Sequence, residues 1–223
     1  MYELIILSLL ARWPMHGYLI AKIANDMTGP YTRISSGRLY PLLAKLEAQG
    51  LIVASDDEPQ PGARRRHRRY AITEAGRLRF HELMMDTTSN AGDYQRIFWY
   101  KVPCLRLLDL PERLFLLDHY ATYCQTQIFH FLAEIADMRT NHENYYPEPA
   151  IGREAVLFVM DHVLAHWRQE LASAQQWRAR VVADAEGLQS AGAAPAEAST
   201  AASAEASTEE MGAPPTTGRE SGS

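Results

Sequence analysis

Apolar residues crowd the segment from Tyr2 to Trp13 (Leu4, Ile5, Leu7, Leu9, Leu10) and Pro14 closes it, which predicts a mostly buried first helix. Met15-His16-Gly17-Tyr18 opens a second helix over about 16–27, where Tyr18, Leu19, Ile23 and Met27 make one stripe and Thr28-Gly29-Pro30 breaks it. A third helix is expected to start near Ser36, because Ser is a favoured N-cap. Pro41 lacks an amide hydrogen and limits how far upstream regular helix extends, while Leu42, Leu43, Leu46 and Ala48 carry it on to Gly50. The next two apolar stretches, Leu51–Ser55 and Arg68–Ile72, read as short strands. The segment 56–67 between them holds Pro59, Pro61 and Gly62 and is longer than a tight hairpin needs, so it should form a wing. Thr73-Glu74 caps a fourth helix running to about Asp86.

Residues 87–94 are polar and contain Gly, which places a domain junction there. Beyond it, two long amphipathic helices are expected. The first covers roughly 111–138, with Leu114, Leu117, Tyr120, Cys124, Ile128, Phe131 and Ile135 on one face. The second covers roughly 152–183, with Val156, Met160, Val163, Trp167, Leu171, Ala174, Trp177 and Val181. A helix of about 30 residues is about 45 Å long, more than a small domain needs for its own core. Such stripes commonly bury themselves in a second subunit, so a homodimer through these helices is expected. From about Gly187 the chain is Ala, Ser, Thr, Glu, Gly and Pro, with Ala-Glu-Ala-Ser-Thr twice, and too few large apolar residues to offset ordering entropy. The reading is a mainly α protein in three parts: a winged helix-turn-helix over 1–86, a helical dimerisation and effector domain over 95–184, and a disordered tail over 187–223.

Net charge sharpens this division. Residues 1–86 hold 12 Lys/Arg against 9 Asp/Glu, a net of +3, whereas 87–223 hold 10 against 18, a net of −8. A basic front suits phosphate, and the acidic rear has another task. Two cysteines, Cys104 and Cys124, are too few for a disulfide framework. The run Leu4–Leu10 is too short for a bilayer and lacks a signal-peptide pattern, so a cytoplasmic location is expected.

Helix, turn, helix and a basic hairpin form a module that usually reads duplex DNA, with the third helix in the major groove. Its first turn presents Ser35, Ser36, Arg38 and Tyr40, with Lys45 further along. Arg38 is the candidate for a bidentate contact to guanine, the serines and Tyr40 can donate to phosphate or base, and the helix N-terminus attracts phosphate. Tyr40 fits a core position equally well. The wing supplies Arg64, Arg65, Arg66, Arg68 and Arg69, five arginines in six residues, of which strand alternation lets about half face one groove. Arginine at a wing tip suits the negative potential of a narrow minor groove. His16 and Tyr18 are read as fixing the turn and packing the second helix.

Three stretches carry a resemblance to the PadR family of bacterial transcriptional regulators. They are Pro14-Met15-His16-Gly17-Tyr18, then Ser36-Gly37-Arg38-Leu39-Tyr40-Pro41-Leu42-Leu43 with Leu46-Glu47-Ala48-Gln49-Gly50-Leu51-Ile52, then Arg69-Tyr70-Ala71-Ile72-Thr73-Glu74-Ala75-Gly76. The rear, with Phe98-Trp99-Tyr100-Lys101 ahead of the long helices, is similar to the helical C-terminal domain of that family's phenolic-acid-responsive branch. The resemblance implies a repressor that dimerises through this domain and, in some members, a small aromatic effector near the junction. The Arg-dense wing and the Ala/Ser-rich tail depart from the family pattern.

An effector pocket would be lined by Phe98, Trp99, Tyr120, Tyr123 and Trp167, although each of these residues taken singly is read first as dimer core. The expected function is a dimeric, ligand-responsive repressor at a palindromic operator. The alternative is a winged-helix protein–protein module without sequence-specific DNA reading. An enzyme is not expected: no phosphate loop, nucleophile elbow or carboxylate dyad is evident, and no cofactor is implied. His162 and His166 share a helix face, yet no Cys, Asp or Glu completes a metal site.

Overall fold

Seven consecutive residues, Leu4 to Leu10, are buried in helix α1 (Tyr2–Leu10), so this helix is apolar on every side and becomes the centre of the N-terminal core. The one polar residue among these seven, Ser8, donates to the Ile5 carbonyl at 2.8 Å and is satisfied within its own turn. The computed structural model describes residues 1–29, 33–56, 68–145 and 150–192. Around α1 stand α2 (Gly17–Thr28), α3 (Ser36–Ala48), α4 (Glu74–Met85) and a three-stranded antiparallel sheet.

The sheet has the order β1-β3-β2, built from Met15–His16, Arg68–Ile72 and Ile52–Asp56. Met15 and His16 do not open the helix, as their motif suggests. They pair with Tyr70 and Arg69 as a third strand, and α2 starts only at Gly17. Two residues are too few to show a period of two, and their partners lie more than fifty positions away in the chain. Within the described residues of the front 86, the helix-and-strand reading otherwise holds to within a few residues. Pro41 sits inside α3, one turn past the start at Ser36. The wing beyond Asp56, with Arg64, Arg65 and Arg66, lies outside the described residues, as does the tail from 193 onward.

Two local devices fix the hand-over from α3 to the sheet and α4. Gly50, at φ 71°, takes the left-handed position after the helix. There its N–H donates to Glu47 O (2.9 Å), and the Leu51 N–H donates to Leu46 O (3.0 Å). Thr73 caps α4 by accepting from the Gly76 N–H at 3.0 Å, and its hydroxyl donates to Gly50 O at 2.6 Å. A Cβ on Gly76 would stand 2.0 Å from the Leu51 carbonyl oxygen, so only glycine allows α4 to lie this close to β2.

Past the expected junction at 87–94 the chain holds a helix to which the sequence reading assigns no element. Helix α5 (Tyr94–Lys101) buries Tyr94, Phe98 and Lys101, and a 3-10 segment (Val102–Leu107) follows it. The two long helices, α6 (Leu110–Tyr145) and α7 (Ala150–Gly192), both outrun their expected limits. They run antiparallel. Arg178 pairs with Asp118 (2.5 Å), Tyr123 meets Trp167 (5.5 Å between ring centres), and Arg139 reaches Asp161 (3.6 Å). Residues Met1–Val181 form one compact unit with a continuous apolar core from α1 through α5 to α6 and α7. Val182 begins a second unit, whose described residues continue α7 to Gly192.

Candidate nucleic-acid interface

Helix α3 is two-faced. Leu39, Leu43 and Leu46 are buried against the core, which turns Ser35, Ser36, Arg38, Tyr40 and Lys45 outward. Its attitude is set by Asn25 near the end of α2. The Asn25 side chain accepts from the Ile34 N–H (2.7 Å) and donates to the Ile34 carbonyl (3.2 Å), clamping both backbone groups just ahead of the helix. Ser35 is the N-cap in extended conformation, yet its side chain makes no capping bond. The first-turn amides therefore keep their positive end of the helix dipole open for an anion.

Among the described residues neither Arg38 nor Lys45 has an ion-pair partner. Tyr40 divides its two readings between them. One ring edge covers Gly17, where a Cβ would meet Cε1 at 3.0 Å, and the ring remains 48% exposed. His16 and Tyr18 stack at 5.8 Å with an interplanar angle of 13° beside this face, and Tyr18 is exposed.

Arg68 sits at the base of the wing and is engaged. Its Nη2 donates to Glu47 Oε1 at 3.1 Å, and its guanidinium lies 5.9 Å from the centre of the Tyr70 ring. Burial pushes the Tyr70 hydroxyl pKa up, with Arg68 opposing and Glu47 adding to it. Glu47 was not among the residues singled out from sequence. An acid in the last turn of a helix is unfavourable for the dipole, and that misplacement is the signal that could have marked it.

The five aromatics expected to line an effector pocket come together. Phe98 stacks on Tyr120 at 3.7 Å and 9°, Trp99 meets both edge-on, and Tyr123 bridges to Trp167. Phe98 and Tyr120 are fully buried, so the cluster is filled by its own rings. Glu170 of α7 closes it, with one oxygen accepting from Trp99 Nε1 (2.7 Å) and from the Tyr120 hydroxyl (2.5 Å). A cavity of about 230 Å³ lies elsewhere, lined by Ala11, Arg77, Phe80, His81, Leu107 and Leu108. At the seam between α4 and α5, the buried Lys101 ammonium donates to the Asp86 carbonyl at 2.5 Å. Burial lowers the Lys101 pKa to about 8 against the opposing pull of Asp86. The Asp86 carboxylate accepts from the Ser89 and Thr88 amides, which hold its pKa at about 2.

No three His, Cys, Asp or Glu residues form a metal-holding group among the described residues. His166 is engaged by Gln95 at 2.6 Å. No described helix is long and apolar enough to cross a membrane.

Residues 6–82, which carry the whole of this face, match the family model described as Transcriptional regulator PadR-like family. Over these residues the chain is a member of that family. Its PadR-like fold is mainly helical with a winged helix-turn-helix at the front, and the family is one of transcriptional regulators, not of enzymes. Similar solved structures include Bacillus subtilis PadR in complex with operator DNA, at 16% identity over 80% of this chain and 96% of that one (TM-score 0.37). The same Bacillus protein in complex with p-coumaric acid shares 18% identity over 80% and 97% of the two chains (TM-score 0.34). A transcriptional regulator from Clostridium thermocellum shares 31% identity over 36% of this chain and 75% of that one (TM-score 0.32). No curated protein gives a significant match.

Proposed function

We propose that this PadR-like regulator is a homodimeric, ligand-responsive repressor that acts in the cytoplasm on adjacent genes or its own. Residues 1–86 read a palindromic operator, 95–184 dimerise and hold the effector, and 187–223 form a separate tail. The observation that carries the DNA-reading part is the outward face of α3, where Arg38 and Lys45 stand exposed, without ion-pair partners among the described residues, beside a helix N-terminus that has no side-chain cap. Arg38 reads a guanine, Ser35, Ser36, Tyr40 and Lys45 contact phosphate or base edges, and Arg64, Arg65 and Arg66 follow the minor groove.

Dimerisation is supported by large apolar side chains left in solvent on the far half of the α6–α7 hairpin. Phe129 is 69% and Phe158 75% exposed, with Leu132 and Val159 beside them. The effector reading rests on the aromatic cluster. An aromatic ligand entering there must part Phe98 from Tyr120 and so disturb the contact between α5 and α6.

The test is fluorescence anisotropy against DNA from upstream of the protein's own gene and against scrambled DNA, at two salt concentrations. Preferential binding with a steep salt slope and a footprint with dyad symmetry supports the reading. Equal, weak binding to every duplex would favour the protein–protein module. Tryptophan fluorescence during titration with aromatic acids and organic cations tests the effector part, and an unchanged signal counts against it.

A further inference from the structure

We infer that Glu47 and Arg68 form a brace that sets the angle of β3 on α3, so that Arg68 is a positioning residue and not a phosphate contact. The inference rests on the DNA-reading proposal above and adds how that face is held. Three observations converge on it.

The first is the contact, 3.1 Å from Arg68 Nη2 to Glu47 Oε1, with the guanidinium also covering the Tyr70 ring. The second is strand parity. Arg68 and Tyr70 are two apart in β3 and share a face, and Tyr70 is a buried residue paired with both Ala54 and Met15 at the centre of the sheet. Arg68 thereby leans over α3 while staying half exposed, and Arg69 points to the opposite face.

The third is the placement of Glu47 itself. It occupies the last turn of α3, where the helix dipole disfavours an acid, and it lies beside a surface meant for phosphate, where a negative charge repels. Its backbone is fixed by the Gly50 turn, which bonds to its carbonyl, and by Leu46, buried next to it. A carboxylate so placed gives Arg68, at the base of the wing, a defined seat and keeps that arginine off the DNA. An exposed pair contributes little to stability, so the effect belongs to geometry and is a few-fold in size.

The experiment uses the full chain and the tightest duplex that wild-type protein selects from a random pool. Affinity for that duplex and for a scrambled one is measured over a range of salt for wild type, Arg68→Gln, Glu47→Gln, the double variant and the swapped pair E47R/R68E. The readout is the ratio of the two affinities, since a change of net charge moves both together.

The brace predicts that each single change lowers the ratio about three-fold and that the double is no worse than either single. The swap restores the ratio, and the salt slope of Arg68→Gln stays at the wild-type value. A slope lower by about 0.9 in Arg68→Gln, with Glu47→Gln binding every duplex more tightly, would show a phosphate contact and overturn the inference. If wild type selects no duplex, the DNA-reading proposal fails. Amide hydrogen exchange in β3 then decides the brace alone: faster exchange in both single variants supports it, and unchanged exchange overturns it.

Discussion

Two glycines in the front domain look alike in sequence and should behave oppositely. A methyl at Gly76 would meet the Leu51 carbonyl at 2.0 Å and Ile72 Cγ1 at 2.7 Å, and neither can yield without moving the sheet. Gly76→Ala is expected to cost more than about 2 kcal/mol in denaturant unfolding. At Gly37 a Cβ meets only Ser35 Oγ at 3.9 Å, so alanine there should stabilise α3 by about 0.5–1 kcal/mol. A matching loss of DNA affinity in Gly37→Ala would mean that Gly37 is kept for close approach of a ligand to its backbone. Lys101 gives a pH test. Its folded pKa of about 8 lies below its ordinary 10.5, so between those values the unfolded chain holds more protons and stability rises with pH. Against Lys101→Met, wild type should gain up to about 3 kcal/mol across that window, and a flat difference would show that the amine keeps its proton. Such facts are only half legible in sequence. The Thr73-Glu74-Ala75-Gly76 stretch announces a cap, yet that its glycine touches a carbonyl 25 positions back emerges only in the fold.

Among the elements, periodicity predicted the ones with long stripes and missed the two that lack them. Strand β1 is set wholly by its distant partner. Helix α5 has its inner positions at Tyr94, Phe98 and Lys101, and a lysine on the buried side hides the stripe. Both long helices continue past their apolar stripes, and there helix propensity alone suffices; the Ala-rich end of α7 has it. The aromatic residues of the candidate effector site were likewise legible as a group, but Glu170, which ties α5, α6 and α7 together, was not, because only the antiparallel pairing brings it to Trp99 and Tyr120. Replacing Glu170 with Leu leaves two buried donors unpaired and should cost about 2–3 kcal/mol in thermal unfolding, with Glu170→Gln, which retains an acceptor, losing less. Equal losses in the two variants would mean that packing, not hydrogen bonding, holds the three helices at this point.

For the whole molecule, the exposed Phe129, Leu132, Phe158 and Val159 make the oligomeric state the decisive quantity. If the proposed dimer forms through this face, Phe158→Lys is expected to shift it to monomer in sedimentation velocity and to cut operator affinity at least ten-fold while leaving the fold of each chain in place. A dimer that survives the change would move the interface off this half of the hairpin. Helix α6 also has a mechanical meaning. Its 36 residues amount to about 54 Å of rod at 1.5 Å per residue. Clamped at one end by a second copy, such a rod converts a tilt of about 5° where it crosses α5 into a sweep of about 5 Å at the other end. That is about one-seventh of the roughly 34 Å separating half-sites on one side of a duplex. Parting two stacked rings, Phe98 and Tyr120, is thus a small movement with a long throw, enough to carry a pair of reading heads out of step with their grooves.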